Sequence, residues 1–366
     1  MQRVLLTTIF GALVCQVAAA EPPGDVLHSE HARVTSALAV QSAVTPELMQ
    51  WPDVLGSAVG LNEAGQPALV VFVDRDGPSH KEVVQALPAL LGGIPVRPHL
   101  TDKIRAFGGK PGGGSLAVSH TGIQQTPIYL GTSGGWRHDL ANGYCCGGTL
   151  GALIQVNDIQ YILSNYHVFE SDIVAGGNNL VSATGQAVIQ PGLIDVQCDA
   201  NQASAVGSLV KIGALPVSNV DAAIAQVAPG MVRSDGAILE VGPLSSQIVG
   251  AFLNQTVKKS GRTTGLTHSK VIGLNATIRV SYETECAGGA AFTKTYTGQI
   301  VLSNNGSKFL NSGDSGSLLV EDVSVNPRAA GLLYAGSSTT AIANPIAEVL
   351  QYVGGVLGGV ATMVGN

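Results

Sequence analysis

Three side chains of this 366-residue chain are of the types that together break acyl bonds: a histidine, an aspartate and a serine, in that order. Attack by a serine needs a base to take its proton, a carboxylate to orient that base, and backbone N–H groups to hold the oxyanion. Ser315 lies in "NSGDSGSLLV", where Gly313 and Gly316 permit a sharp turn before an apolar strand starting at Leu318. In such a turn the N–H groups of Gly313 and Ser315 can converge on one oxygen, as an oxyanion hole requires. His167 closes the apolar run of "YILSNYHVFE", and Asp221 opens the alternation of Ala223, Ile224 and Ala225 in "VSNVDAAIAQV". Asp172, Asp195, Asp199 and Asp235 also fall between His167 and Ser315, but none leads into an equally regular strand. Singly, each of the three has a plain structural reading as a strand-end histidine, a turn aspartate or a turn serine. Their joint order, with separations of 54 and 94 residues, favours the catalytic one.

The order His, Asp, Ser is that of chymotrypsin rather than of subtilisin or the α/β-hydrolases. On these residues the segment from about 125 to 353 resembles the catalytic domain of a chymotrypsin-fold serine peptidase. Two further stretches narrow the resemblance. "KSGRTTGLTHSKV" is similar to the Gly-Arg-Thr-Thr-Gly stretch of bacterial secreted members, the streptogrisin and α-lytic type. "LSNYHV" is similar to the Thr-Asn-Asn-His-Val form of bacterial branches. The resemblance implies two six-stranded antiparallel β-barrels with the site in the cleft between them. His167 and Asp221 would come from the first barrel and Ser315 from the second. It also implies a primary pocket with Phe309 at its base and a wall of Tyr334, Ala335 and Gly336 along the substrate backbone. No acidic residue stands at that base, which disfavours cleavage after Arg or Lys and points to an apolar or small side chain.

The chain departs from the family in three places. Ser317 stands where most relatives have Gly or Pro, and Val168 replaces the cysteine beside the histidine of animal enzymes, so no disulfide pattern carries over. No Ile-Val-Gly-Gly-type start precedes the catalytic segment, so Asp314 is expected to find an internal partner instead of a new N-terminal ammonium. The activity implied is a serine endopeptidase acting on polypeptides through an acyl-enzyme. Water completes that cycle, so neither cofactor nor metal is called for. A catalytically silent binding module on the same fold, and an esterase using the same three residues, are the competing readings.

The elements that position these residues read as mostly β: a double antiparallel β-barrel preceded by a small N-terminal α/β domain. Hydrophobic residues make up 45% of the chain and charged residues 12%, enough apolar material for a large core. Glycine is abundant, with 47 residues, and short alternating runs such as "GTLGALIQV" and "AAGLLYAG" recur between Gly, Asn and Ser turns. Residues 1–20, with Arg3, an apolar run and the ending Ala18-Ala19-Ala20, read as a signal peptide cleaved after Ala20 and thus a secreted or periplasmic protein. Residues 21–107 read as the α/β domain: a helix over 26–49 interrupted by Pro46, a hairpin turning at residues 63–66, a helix capped by Ser79, and an edge strand "GIPVRPHLT". Its place before a Gly-rich linker at 108–115 and the peptidase segment at 116–366 suits a pro-domain that blocks the cleft or aids folding. The alternative is a domain that stays attached. The apolar C-terminal run reads as a packed helix followed by a loose tail, too short to span a bilayer.

Beyond the signal peptide there are four cysteines: Cys145, Cys146, Cys198 and Cys286. An even number in an exported chain reads as two disulfides. Adjacent Cys145 and Cys146 are too close to pair with each other, so each is expected to take one of Cys198 and Cys286, in an order left open. Without a CxxC spacing or a nearby histidine, zinc is the weaker reading. "HSEH", with His28 and His31, reads as a solvated helix face rather than a metal pair. The net charge of −6 and the absence of a Lys/Arg run give no reason to expect nucleic acid as a partner.

Overall fold

The computed structural model describes residues 26–106, 118–141, 144–170, 182–282 and 292–366. Residues 1–20, expected to be a signal peptide, and the expected linker at 108–115 lie outside the described residues. The chain begins with helix α1 (Ala32–Leu48), followed by strands β1 (Val54–Leu61) and β2 (Pro67–Asp74), which pair as the expected hairpin. Helix α2 (His80–Ala86), the short strand β3 (Leu90–Leu91), β4 (Ile94–Thr101) and the two-residue β5 (Arg105–Ala106) complete the N-terminal unit. Pro46 was expected to interrupt α1, yet the helix runs through it to Leu48. Buried polar contacts hold those last turns: Gln41 Nε2 donates to Asn275 O at 2.8 Å, and Thr45 Oγ1 lies 2.6 Å from Ser57 Oγ. Strand β4, with its prolines, pairs parallel to β2 and has only the two residues of β3 on its other side.

The next strands are β6 (Thr132–Trp136), β7 (Leu140–Ala141), β8 (Tyr144–Cys145), β9 (Gly148–Leu150), β10 (Ala152–Val156) and β11 (Ile159–Ser164). The short helix α3 (Tyr166–Phe169) leads to β12 (Ala187–Gln190), β13 (Ser204–Val210) and β14 (Ala223–Val227). Their sheet runs β10-β11-β14-β13-β12-β6-β9. The chain bends at Gly151 from β9 straight into β10, so this bent strand joins both ends of the order and closes a six-stranded barrel. Leu153, Ile162, Leu163, Val206, Leu209 and Ile224 are each fully buried, so its strands are covered on both faces.

The second barrel comprises β15 (Thr256–Gly261), β16 (Gly265–Tyr282), β17 (Phe292–Ser303), β18 (Leu318–Glu321), β19 (Ala329–Gly336) and β20 (Thr340–Pro345). They pair in the order β15-β18-β19-β20-β17-β16, and β15 pairs again with β16 to close the ring. Strand β16 outruns this barrel. Its far half pairs antiparallel with β1, at Val59↔Leu274 and Gly56↔Ile278, so β1, β2 and β4 continue the same sheet. Helix α4 (Ile346–Leu357) follows. The tail expected to be loose is instead strand β21 (Thr362–Met363), paired with β10 at Ile154↔Met363, because burying Met363 against the first barrel leaves β10 no free edge there.

The two barrels meet where Gly151 lies against the turn before β18. A Cβ placed on Gly151 would come within 2.0 Å of Gly316 O and 2.9 Å of Leu163 O, both backbone atoms that cannot yield cheaply. Gly151→Ala is therefore expected to cost about 1–3 kcal/mol of stability and to displace the Ser315 turn. Denaturant unfolding read beside hydrolytic activity checks this, and a variant with both unchanged would contradict the contact.

Candidate active site

Two strand ends of the first barrel bring His167 and Asp221 together. His167 lies on α3, immediately after β11, and Asp221 immediately precedes β14, which is hydrogen-bonded to β11. Both side chains are fully buried, with His167 Nδ1 2.8 Å from Asp221 Oδ2. A buried carboxylate needs donors on every lone pair, and four converge on this one. Tyr166 N donates to Oδ1 at 2.7 Å and His167 N at 3.4 Å, while Tyr282 Oη shares Oδ2 at 2.8 Å. The backbone of Asp221 is fixed as well, its N–H donating to Asn344 Oδ1 and its carbonyl accepting from Asn165 Nδ2. The other ring nitrogen, His167 Nε2, is buried without a hydrogen-bond partner among the described residues.

The Ser315 turn belongs to the second barrel and docks on the first. Thr149 N, in β9, donates to Ser315 O at 2.8 Å, and Thr149 Oγ1 donates to Gly313 O at 2.9 Å. Gly148 fits between the two halves of the site: a Cβ there would meet Val168 Cγ2 at 2.7 Å and Ser315 O at 2.9 Å. Val168 is the neighbour of His167, so one residue width separates the histidine helix from the serine turn. Gly313 and Gly316 both have φ of +93°, conformations that L side chains rarely adopt, and they set the turn that the sequence called for. Ser315 Oγ lies 3.4 Å from Tyr334 O on β19.

Asp314, beside the serine, has the internal partner expected of it. Its side chain is fully buried, 3.3 Å from the equally buried Lys259 ammonium. It also accepts from Thr263 N, Thr264 N, Thr264 Oγ1 and Asn311 N. Burial pushes Lys259 below the ordinary lysine range, and the charge of Asp314 opposes that shift. Arg262 of the Gly-Arg-Thr-Thr-Gly stretch reaches across to the first barrel and clasps Asp195 through two bonds, Nη2 at 2.6 Å and Nε at 2.7 Å. Asp195 is thereby committed to holding the barrels together. Asp235 pairs with Arg233, the Asp199 side chain accepts from Asn201 N, and Asp172 lies outside the described residues. Only Asp221 reaches the histidine among the described candidates.

Ala335 and Gly336, expected to form a wall along the substrate, lie on β19 and pair with Ala106 and Arg105 of β5. The Tyr334 side chain instead points inward, fully buried, with its ring 4.9 Å from that of Tyr296. Phe309 is buried in the second barrel's core with Leu253, Val257 and Leu310, and its carbonyl accepts from Thr264 and Thr267. Cys145 is bonded to Cys198 with a Cα separation of 5.3 Å, whereas Cys286 lies outside the described residues.

The site is thus shared by two closed six-stranded barrels, histidine and aspartate from one and serine from the other. The fold is chymotrypsin-like. No protein-family model matches the chain, and no curated protein matches it in sequence. Similar solved structures include a glutamic-acid-specific serine protease (16% identity, 64% of this chain, 100% of that one, TM-score 0.40). Thermobifida fusca protease A is also similar (16% identity, 65% and 99%, TM-score 0.40). Cellulomonas bogoriensis chymotrypsin gives 18% identity, 65% and 99%, and a TM-score of 0.37. Within the chymotrypsin-like frame, Lys259 and Tyr282 are residues that sequence reasoning missed. The doublet Lys258-Lys259 ahead of "SGRTTG" was the available signal for the first, and nothing local pointed to the second.

Glu170 ends α3 three residues after His167 and is buried, its carboxylate accepting from Ile212 N at 2.9 Å and Gly213 N at 3.2 Å. Burial pushes its carboxyl up to about 6; the amides of Ile212 and Gly213 and the Lys211 charge oppose this, and the Asp221 charge reinforces it. A carboxyl raised in the folded state stabilises the fold below its unfolded pKa and loses that contribution as pH rises through the folded one. Stability is expected to fall by about 2 kcal/mol between roughly pH 4.5 and 6 on this account. Glu170→Gln should flatten that part of the curve, and urea midpoints measured across the range decide it.

Proposed function

We propose that the chain is a secreted serine endopeptidase in which Ser315 is the nucleophile, His167 its base and Asp221 the residue that orients the base. The observation that carries this is the His167–Asp221 pair of one barrel abutting the serine turn that the other barrel docks onto Thr149. In the reaction, Ser315 Oγ attacks the peptide carbonyl carbon while His167 Nε2 takes the hydroxyl proton. The carbonyl electron pair moves onto oxygen, which the N–H groups of Gly313 and Ser315 receive. The imidazolium then protonates the leaving amine as the C–N bond breaks, and water, deprotonated by the same ring, hydrolyses the acyl-enzyme. Asp221 Oδ2 holds Nδ1–H, fixing the tautomer that leaves Nε2 able to accept. Phe309 lies in the core rather than on a pocket surface, and the absence of an acidic residue at that position is what leaves an apolar or small residue before the cleaved bond as the favoured substrate.

The N-terminal unit acts on this reading as an intramolecular inhibitor. Strand β5 pairs antiparallel with β19 at Ala106↔Ala335 and Arg105↔Gly336. It runs towards Tyr334, whose carbonyl touches Ser315 Oγ, so it lies along the edge an acyl-side peptide would use. The loop after β19 is held by the same unit. Asp102 accepts from Ser338 N at 3.0 Å, and His99 Nε2 lies 3.0 Å from Thr339 Oγ1. A cut near residues 108–115 would free the edge, and a signal peptide ending at Ala20 would deliver the chain for export.

Ser315→Ala is expected to lower turnover on casein by on the order of 10⁶. A fluorophosphonate probe should label the wild type at Ser315, as peptide mapping would show. Labelling at another residue, or an alanine variant that still cleaves, would sink the assignment. N-terminal sequencing of active secreted material should find a new start near residues 108–115; active protein starting only at Glu21 would refute obligatory removal.

A further inference from the structure

His120 stands just beyond the expected linker, where the described chain resumes at residue 118. The site as built so far does not use it, yet its side chain is fully buried and both ring nitrogens are engaged. Nδ1 lies 2.9 Å from Gly131 O, and Nε2 lies 2.6 Å from Glu240 Oε2. Its carbonyl accepts from Ser133 N of β6 at 2.8 Å. From this one residue two routes lead to the supports of the serine turn. Along the first, Ser133 Oγ donates to Asp195 Oδ2 at 2.5 Å, and Asp195 is the carboxylate that Arg262 clasps. Along the second, Gly131 is wedged between the Glu240 turn and β15. A Cβ placed on it would meet Ile238 Cγ2 at 2.7 Å and Ser260 Oγ at 2.9 Å. Ser260 is the neighbour of Lys259.

The Lys259 ammonium has no donor to spare. It reaches Thr264 Oγ1, Gly265 O at 3.0 Å and Asp314 Oδ2 at 3.3 Å. Burial pushes it below the ordinary lysine range, and the charges of Asp314 and then Glu240 oppose that shift. Glu240 is thus a second carboxylate within electrostatic reach of one buried cation, and opposite charges attract more strongly where water is excluded. A freed Glu240 would compete with Asp314 for Lys259. We propose that His120 is a positioning residue for the Ser315 turn: it holds the Glu240 carboxylate in place and so leaves the Lys259 ammonium to Asp314. This rests on the peptidase reading above and adds a residue that acts without touching substrate. It also sets a limit on processing. A chain cut beyond His120 loses both routes, so the working protein has to start ahead of that residue.

The test uses the full chain expressed for secretion. His120→Asn keeps an amide near the place of Nδ1, for Gly131 O, and lets Glu240 go. His120→Gln keeps an amide near the place of Nε2 and holds Glu240. Hydrogen exchange of the amides of residues 311–317 reads the turn directly, with β10 of the same molecules as internal reference. The rate of fluorophosphonate labelling reads the nucleophile. His120→Asn should speed that exchange and slow that labelling by about tenfold each, whereas His120→Gln should stay within about twofold of wild type. Glu240→Gln added to His120→Asn removes the competing charge and should restore both, which lost packing alone would not give. His120→Asn with exchange at the wild-type rate would overturn the proposal, as would a double variant as impaired as the single one. If His120→Asn does not accumulate, recovery of secreted protein on adding Glu240→Gln reads the same coupling, and its absence overturns it. Exchange that follows the expected pattern in a chain that the probe never labels would keep the role of His120 and sink the peptidase reading instead.

Discussion

A carboxylate with no solvent contact must be surrounded by donors, and much of this molecule is arranged around that requirement at Asp221. An unpaired ion there would cost several kcal/mol, so every group that satisfies it is also fixed in place by it. The N–H groups of Tyr166 and His167 fix the start of α3, the imidazole fixes the ring plane of His167, and Tyr282 Oη fixes the end of β16. These donors come from both barrels. The second barrel's position against the first is written into the hydrogen bonds of one side chain, and the histidine's tautomer is a by-product of the same arrangement.

A second buried acid repeats the logic on the other side of the cleft. Asp314 gathers the N–H groups of Thr263, Thr264 and Asn311 and the Lys259 ammonium, and so holds the turn that carries Ser315. The Arg262–Asp195 clasp then ties this turn's support to the first barrel. The three carboxylates, Asp221, Asp314 and Asp195, differ in what they hold: a ring, a turn and a seam. Each is shielded from water, so removing one partner leaves an uncompensated charge and not merely a lost contact.

His167, Asp221 and Ser315 were legible because each sits where an apolar strand begins or ends, a local pattern that survives without knowledge of the fold. Glycine spacing around Ser315 was legible for the same reason, since a positive φ leaves its mark on residue type. Lys259 and Tyr282 act through contacts between elements distant in sequence. Lys259 lies within a strand, where a lysine ordinarily reads as solvent-facing, and Tyr282 ends a long strand that reads as ordinary alternation. The inward turn of Tyr334 was hidden likewise, because whether a strand residue faces core or cleft depends on a register that the next strand sets. The N-terminal hairpin was recognisable, but its junction with the second barrel was not. Strand β1 is buried on both faces through almost its whole length, a central-strand pattern whose partner, β16, lies two hundred residues away.

The internal ammonium at Lys259 has a consequence for timing. Where an aspartate beside the nucleophile waits for a freshly cut amino terminus, the turn is assembled by proteolysis, and latency is a matter of shape. Here the counter-ion is already part of the strand that flanks the turn. The serine loop can adopt its final form as soon as the second barrel closes, whatever happens to the chain ahead of His120. On the proposed peptidase reading, latency would have to come from something standing in the way.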